Sequence, residues 1–378
     1  MKFSRLSIIL ACLTAFCFIS SATSDKDRRL SFAYDVDFGM DFDNREFSRS
    51  DFSRSMTIFA ARVTPSVGLD FRQNPQTVHR LMVGADLMKD FGGRSRNILG
   101  DIIFHYNLEK DFGNTELSLH AGVFPRSKTM DLYSEAFISD SLRFYDNNLE
   151  GILVQFHRPN ADFEVGCDWM GMYGEQSRER FMIFSSGEGK VAPVMSVGYA
   201  AYLYHFANSY TQKGVVDNIL LNPWLRFDFG HLMGLQKFSL KLGYLQGMQH
   251  DRAYVANFVF PCGGEVDLEI RNWNVGIANN LFYGTDMMPY YNSTDNTGVK
   301  YGPDLYFGSP FYRVHDSYLG EAGIYDRFQI FYEPRIGDWL KIRIAALFHF
   351  NGQRYSGCQQ QVILKFNLHD LLAGRRKS

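Results

Sequence analysis

Charged side chains recur at every second position in several stretches of this chain. Glu265, Asp267, Glu269 and Arg271 alternate with Val266, Leu268 and Ile270. Lys341 and Arg343 alternate with Leu340, Ile342 and Ile344, and Lys365 sits between Leu364 and Phe366. Near the start, Asp35 and Asp37 alternate with Tyr34, Val36 and Phe38. A period of two places such charges on one face of a strand and the apolar residues on the other. Rows of opposed charge on a wetted wall have two uses. They can set a strong local field that acts on passing solutes. They can also form solvated cross-strand ion pairs that only stabilise the wall.

Other chemistry has weaker support in the sequence. G-x-S-x-G, H-E-x-x-H, Walker A and dinucleotide-binding patterns do not occur in a fitting context. His105, His157, His205 and His349 are scattered, and a histidine on a wet face is ordinarily just solvated. The expectation is therefore a protein that is not an enzyme, with no catalytic residues, no cofactor and no metal site. After an N-terminal leader, Cys167, Cys262 and Cys358 remain, too far apart for a disulfide framework or a zinc spacing. Without Lys2 and Arg5 of that leader the chain has 37 basic and 41 acidic side chains, which argues against a nucleic-acid partner.

The charge rows need strands to carry them. The clearest are the two arms of a hairpin from Trp339 to Leu368, in which Val362, Leu364, Phe366 and Leu368 oppose Gln359, Gln361, Lys365 and Asn367. About 16 alternating segments follow one another from Ser31 onward. Their connections alternate between short (RQNPQT, EKDFGN, RPNA, HLMGLQ) and long. The pattern predicts an all-β fold, a transmembrane antiparallel up-and-down barrel with apolar residues facing lipid and polar residues facing a lumen. Residues 1–24 read as a signal peptide, with Lys2 and Arg5, then the apolar run Leu6–Ile19, then small residues. A membrane anchor would need a longer run. Past it no apolar run is long enough for a membrane helix, so a membrane protein of this sequence must be a closed barrel. A propeller would show a repeat of roughly 40–50 residues, and none is present. Residues 25–378 are expected to form one barrel domain.

Two long connections bear on the lumen. Pro125–Asn148 carries Arg126, Lys128, Asp131, Glu135, Arg143 and Asp146, together with Met130, Leu132, Phe137 and Ile138. The apolar set suits a loop folded inward against the wall, where it would narrow the lumen. Gly284–Leu319 is the longest and holds Tyr290, Tyr291, Tyr301, Tyr306, Phe307, Phe311 and Tyr312. These rings could stack on sugars, or pack on one another over the barrel mouth.

With its leader, its strand pattern, its aromatic-rich ends and a long third external loop, the chain resembles the porins of Gram-negative outer membranes. The resemblance covers the mature chain in architecture and rests on no specific motif. It implies an inward third loop that forms a constriction, lined by Arg126, Lys128, Asp131, Glu135, Arg143 and Asp146. Opposite would stand the walls of Asp35, Asp37, Glu265, Asp267, Glu269, Arg271, Lys341, Arg343 and Lys365. It implies a passive channel for small hydrophilic solutes in the cell outer membrane. The expected partners are outer-membrane lipid and lipopolysaccharide, the barrel-assembly machinery and, in a homotrimer, further copies of the chain. One departure stands out. Porins end on the last strand with an aromatic residue, whereas here Asn367–Ser378 follow Phe366. The alternatives are a barrel enzyme of lipase or protease type and a plugged barrel with a surface-binding or structural role.

Overall fold

The computed structural model describes residues 29–375 except 48–49, 51, 94–96, 254, 315–320, 335, 338 and 353, and describes only the backbone of 373–375. The expected signal peptide lies outside the described residues.

Sixteen antiparallel strands close into a barrel. They are β1 (Leu30–Glu46), β2 (Met56–Asn74), β3 (Thr77–Asp90), β4 (Leu99–Asp111), β5 (Glu116–Pro125), β6 (Asn148–Arg158), β7 (Ala161–Gly171) and β8 (Arg180–Ala192). Then come β9 (Met195–Phe206), β10 (Val216–Asp228), β11 (Lys237–Asp251), β12 (Cys262–Asn272), β13 (Val275–Gly284), β14 (Gly323–Tyr332), β15 (Leu340–Asn351) and β16 (Arg354–Asn367). Each strand pairs with its sequence neighbours, and β1 pairs with β16 from Asp37–Asn367 to Glu46–Cys358. Closure leaves no free edge, the condition that lipid imposes on a sheet. Among the described residues no helix is long and apolar enough to cross a membrane.

The alternation fixes inside and outside. Leu81, Val83, Ile102 and Phe104 stand exposed on the outer wall, while Asp86, His105, Asn107 and His120 are buried inside. With an even strand count the start of β1 and the end of β16 lie at the same end of the barrel, and the long loops gather at the other, external end.

Two stretches differ from the sequence reading. The glycine-rich segment after Ser186, expected as a connection, continues β8 to Ala192, because β7 and β9 both supply backbone partners to it. Gly187 suits that place, since a Cβ there would come within 3.3 Å of the Tyr199 ring. The last strand stops at Asn367, and Leu368, expected on its lipid face, instead begins a helix over Leu368–Arg375. Asn367 starts that helix by accepting from the Asp370 backbone N–H at 2.8 Å.

Much of the apolar core lies inside the external half of the barrel. Phe137 of the third external loop packs on Tyr202 of β9 with ring centroids 5.4 Å apart. Phe307 of the seventh external loop packs on Tyr204 at 4.8 Å, and Phe311 stacks on Tyr325 at 5.0 Å. Two backbone bonds tie the loops together: Ser139 N–H to Phe307 C=O at 2.8 Å and Ser309 N–H to Glu135 C=O at 2.7 Å. Wall residues Phe124, Leu153, Tyr204, Leu245 and Phe282 join this cluster.

Candidate functional site

The lumen beside these loops holds a cavity of about 1030 Å³, bordered by β1, β2, β10–β16 and the third loop. Of the residues expected to line a constriction, Asp37, Asp131, Glu135, Arg143, Asp267, Glu269, Lys341, Arg343 and Lys365 border it. Asp35, Arg126, Lys128, Asp146, Glu265 and Arg271 are not on its wall. Arg126 is buried at the foot of the loop, where it bonds the Asp146 carboxylate and the Asn148 carbonyl and pairs with Asp168 at 3.0 Å. The Lys128 carbonyl accepts from Gln155 at 2.8 Å. Glu265 is fully buried and accepts from Tyr312 Oη, so it serves the core beneath the seventh loop. Arg271 pairs with Glu333, and Asp35 accepts from Asn367.

Most lumenal charges are compensated nearby. Lys241 lies 3.2 Å from Asp267, Lys237 2.6 Å from Glu269, and Arg343 2.7 Å from Glu333. Glu135 and Asp140 share Arg327, at 3.0 and 3.6 Å. Burial pushes the Glu135 carboxyl up to about 7 even beside that guanidinium. Asp140 goes the other way, because Arg327 and the Glu135 hydrogen bond outweigh its burial. Both loop residues lie outside the strands.

Most tyrosines and phenylalanines of the seventh loop are spent internally, Tyr291 being only half-buried. Tyr301, Tyr306, Phe307, Phe311 and Tyr312 are buried. The Tyr306 hydroxyl donates to Gln249 Oε1. Rings packed this way have no free face for a sugar.

The outer wall carries polar groups that the alternation did not single out. Across β7–β11, near the external end, Trp169, Phe181, His205, Asp217 and His250 stand in one row of register partners. All have the parity of exposed outward neighbours such as Ile183, Leu203 and Leu221. Trp169 stacks on Phe181 with centroids 5.2 Å apart, and Phe181 lies 5.0 Å from the His205 ring. His205 Nδ1 is 4.0 Å from Asp217 Oδ1. Just beyond β11, Arg252 grips the same carboxylate with Nε and a terminal nitrogen, each at 2.7 Å. That bond pushes the Arg252 guanidinium further up.

The row was legible in part. His205 falls on the lipid parity of a strand ending at Phe206. Asp217, however, reads as the end of the polar loop before Asn218, one residue outside the expected strand. The missing signal was the pairing across that loop, Phe206 with Val216.

A second polar set lies on the outer face at the barrel seam. Thr57 Oγ1 donates to Asn44 Oδ1 at 2.9 Å, and Asn44 Nδ2 donates to Gln360 Oε1 at 2.6 Å. It joins β2, β1 and β16, far around the barrel from β9 and β10. With Glu46, which accepts from Asn44 Nδ2 at 3.2 Å, it carries a hydroxyl, amides and a carboxylate but no histidine.

Comparison with known proteins adds three findings. A family model described as "Lipid A 3'-O-deacylase-type" matches residues 23–218. No curated protein matches the chain. Solved structures match over most of its length. A loop L8 deletion mutant of OmpT, an outer membrane protein of Vibrio cholerae, is 11% identical with TM-score 0.52, covering 90% of this chain and all of that one. OmpF of Salmonella typhi, in complex with daunomycin, is 8% identical with TM-score 0.52, over 89% and 97%. A trimer form of the Vibrio cholerae OmpT is 9% identical with TM-score 0.51, over 90% and 100%. At such identities the likeness is one of fold, an outer-membrane β-barrel. The family match corrects the expectation that the protein is not an enzyme, since the matched family is one of deacylases. The porin resemblance holds for the architecture.

Proposed function

The chain belongs to the lipid A 3′-O-deacylase-type family, and from that premise we propose that it hydrolyses an acyl ester of lipid A from the lipid-facing side of its wall. The observation that supports this most is the outward pair of His205 and Asp217 near the external end. A substrate of the outer leaflet presents its ester there, at the boundary between headgroup and acyl chains. The third and seventh loops, packed into the external half of the lumen, favour this reading over a passive diffusion channel.

The chemistry follows from the side chains. His205 removes a proton from a water molecule, and the resulting oxygen adds to the ester carbonyl. The tetrahedral intermediate collapses by breaking the bond to the sugar oxygen. That oxygen takes the proton back from His205, leaving a free fatty acid and a sugar hydroxyl. General acid–base assistance of this kind is worth about 10²–10⁴-fold. Asp217 stabilises the imidazolium formed midway, and Arg252 fixes the Asp217 carboxylate by two-pronged contact. Trp169 and Phe181 offer a flat apolar surface beside the histidine, suited to the interfacial level of a bilayer.

The test is incubation of the purified barrel with lipid A in mixed micelles, with mass spectrometry of the products. Release of one ester-linked chain is expected, and its loss in His205→Ala. A wild-type barrel that is folded and leaves lipid A intact would overturn the proposal.

A further inference from the structure

Lys341 and Lys365 are register partners on β15 and β16, and both border the lumenal cavity. Like charges directly opposite on one face of a sheet destabilise it. Neither lysine has an ion-pair partner among the described residues, although other cations on the cavity wall do, such as Arg343 with Glu333 and Lys241 with Asp267. On the neighbouring strand β1 the same face carries Asp37 and Asp41 with Gly39 between them. Gly39 is the register partner of Lys365, and a Cβ added to it would meet nothing closer than 4.0 Å. The floor between the carboxylates is therefore open. Asn367 holds one wall in place by donating to Asp37 at 2.8 Å.

We propose that this seam binds a small zwitterion, with its oxyanion between Lys341 and Lys365 and its ammonium group between Asp37 and Asp41. The charges decide the class of ligand. A simple anion drawn to the lysines meets two carboxylates one strand away, and a simple cation meets the lysines. A molecule carrying both charges satisfies each side and brings no net charge into the lumen. The span agrees. At the backbone Lys365 lies one strand, about 5 Å, from the β1 row and Lys341 two strands, about 10 Å, from it. Side chains reaching inward from each leave room for a ligand with a few bonds between its charges.

Isothermal titration calorimetry on the purified barrel in an uncharged detergent tests this, with phosphorylethanolamine as the probe and inorganic phosphate and ethanolamine as single-charge probes. Saturable binding of phosphorylethanolamine is expected, at least tenfold tighter than either half. The double variant Lys341→Gln/Lys365→Gln should weaken it at least tenfold. Asp37→Asn/Asp41→Asn should also weaken it while strengthening inorganic phosphate. Gly39→Leu fills the floor without adding or removing a charge, and should abolish binding in a barrel that still folds. His205→Ala should bind like wild type, which separates this site from the outer-wall chemistry. Absence of saturable binding to wild type, or equal affinity in wild type and Gly39→Leu, overturns the proposal.

Discussion

His205 and Asp217 stand opposite each other on β9 and β10, outside the barrel, with Nδ1 and Oδ1 4.0 Å apart. Polar groups on a lipid-facing wall are costly and call for a reason. The cost is depth-dependent, and it falls to about 0–1 kcal/mol near the interface for a charge on a barrel's lipid face. At the external end, an acid and a base can thus be kept where a lipid headgroup region begins.

If His205 is the base, His205→Ala should reduce kcat/KM for lipid A deacylation by about 10²-fold or more. Asp217→Asn keeps the shape and removes the charge that steadies the imidazolium. It should lower kcat with little change in KM, because the interaction grows only in the transition state. Thr57→Val cuts the hydroxyl from the outward polar set at the seam and should leave the rate unchanged. Loss of turnover in Thr57→Val, with His205→Ala still active, would move the site to the seam.

Asp326 makes a separate case. The alternation puts it on the lipid face of β14, between Leu281 and Phe350 in register. Its Oδ1 accepts from Asn279 Nδ2 at 2.5 Å, and Asn279 faces outward too. The pair satisfies itself where lipid offers no partner. Asn279→Leu strands the carboxyl and should cost about 1–3 kcal/mol. Asn279→Leu/Asp326→Leu should recover most of that loss, as read from denaturant unfolding in vesicles.

These residues also show where sequence reading reaches its end. Strand count and wall polarity were legible because a period of two, repeated around a closed sheet, leaves each face its own composition. Lys341, Arg343 and Lys365 could be placed inside from their neighbours alone. The extent of β8 was not, because Gly187 and Gly189 carry no side chain to mark a face. Their strand state is set by pairing with β7 and β9. The bonding of Arg126 was hidden for another reason. A charge in a loop reads as lumenal until the tertiary structure supplies Asp168, which lies on a different hairpin.

The third loop should respond to pH through Glu135. Its folded-state carboxyl sits at about 7 because of burial, above the ordinary 4.5. A carboxyl shifted upward favours the folded state while protonated and opposes it once ionised. Stability from this group is therefore full below about pH 4.5, declines between there and about 7, and is flat above. Thermal unfolding of wild type should fall over that window, all else held fixed. Glu135→Gln mimics the protonated form and should flatten the profile. Asp140→Asn should instead lose stability near neutrality, since Asp140 is the partner held ionised by Arg327.

Docking of the loop itself rests on Phe137, which is fully buried against Tyr202 and Tyr133. Truncating a buried phenylalanine costs about 3–5 kcal/mol, the sum of lost transfer energy and an unfilled cavity. The strand ladder does not pass through this loop, so the loss should fall on the loop and spare the barrel. Phe137→Ala should keep the folded mobility of the barrel on a gel while exposing Pro125–Asn148 to an external protease. The backbone bonds from Ser139 to Phe307 and from Ser309 to Glu135 couple the two loops. Cleavage should therefore appear in the seventh loop as well as the third. Cleavage confined to the third loop would mean that the seventh is held by its own contacts with β9, β11 and β12, through Tyr204, Gln249 and Glu265.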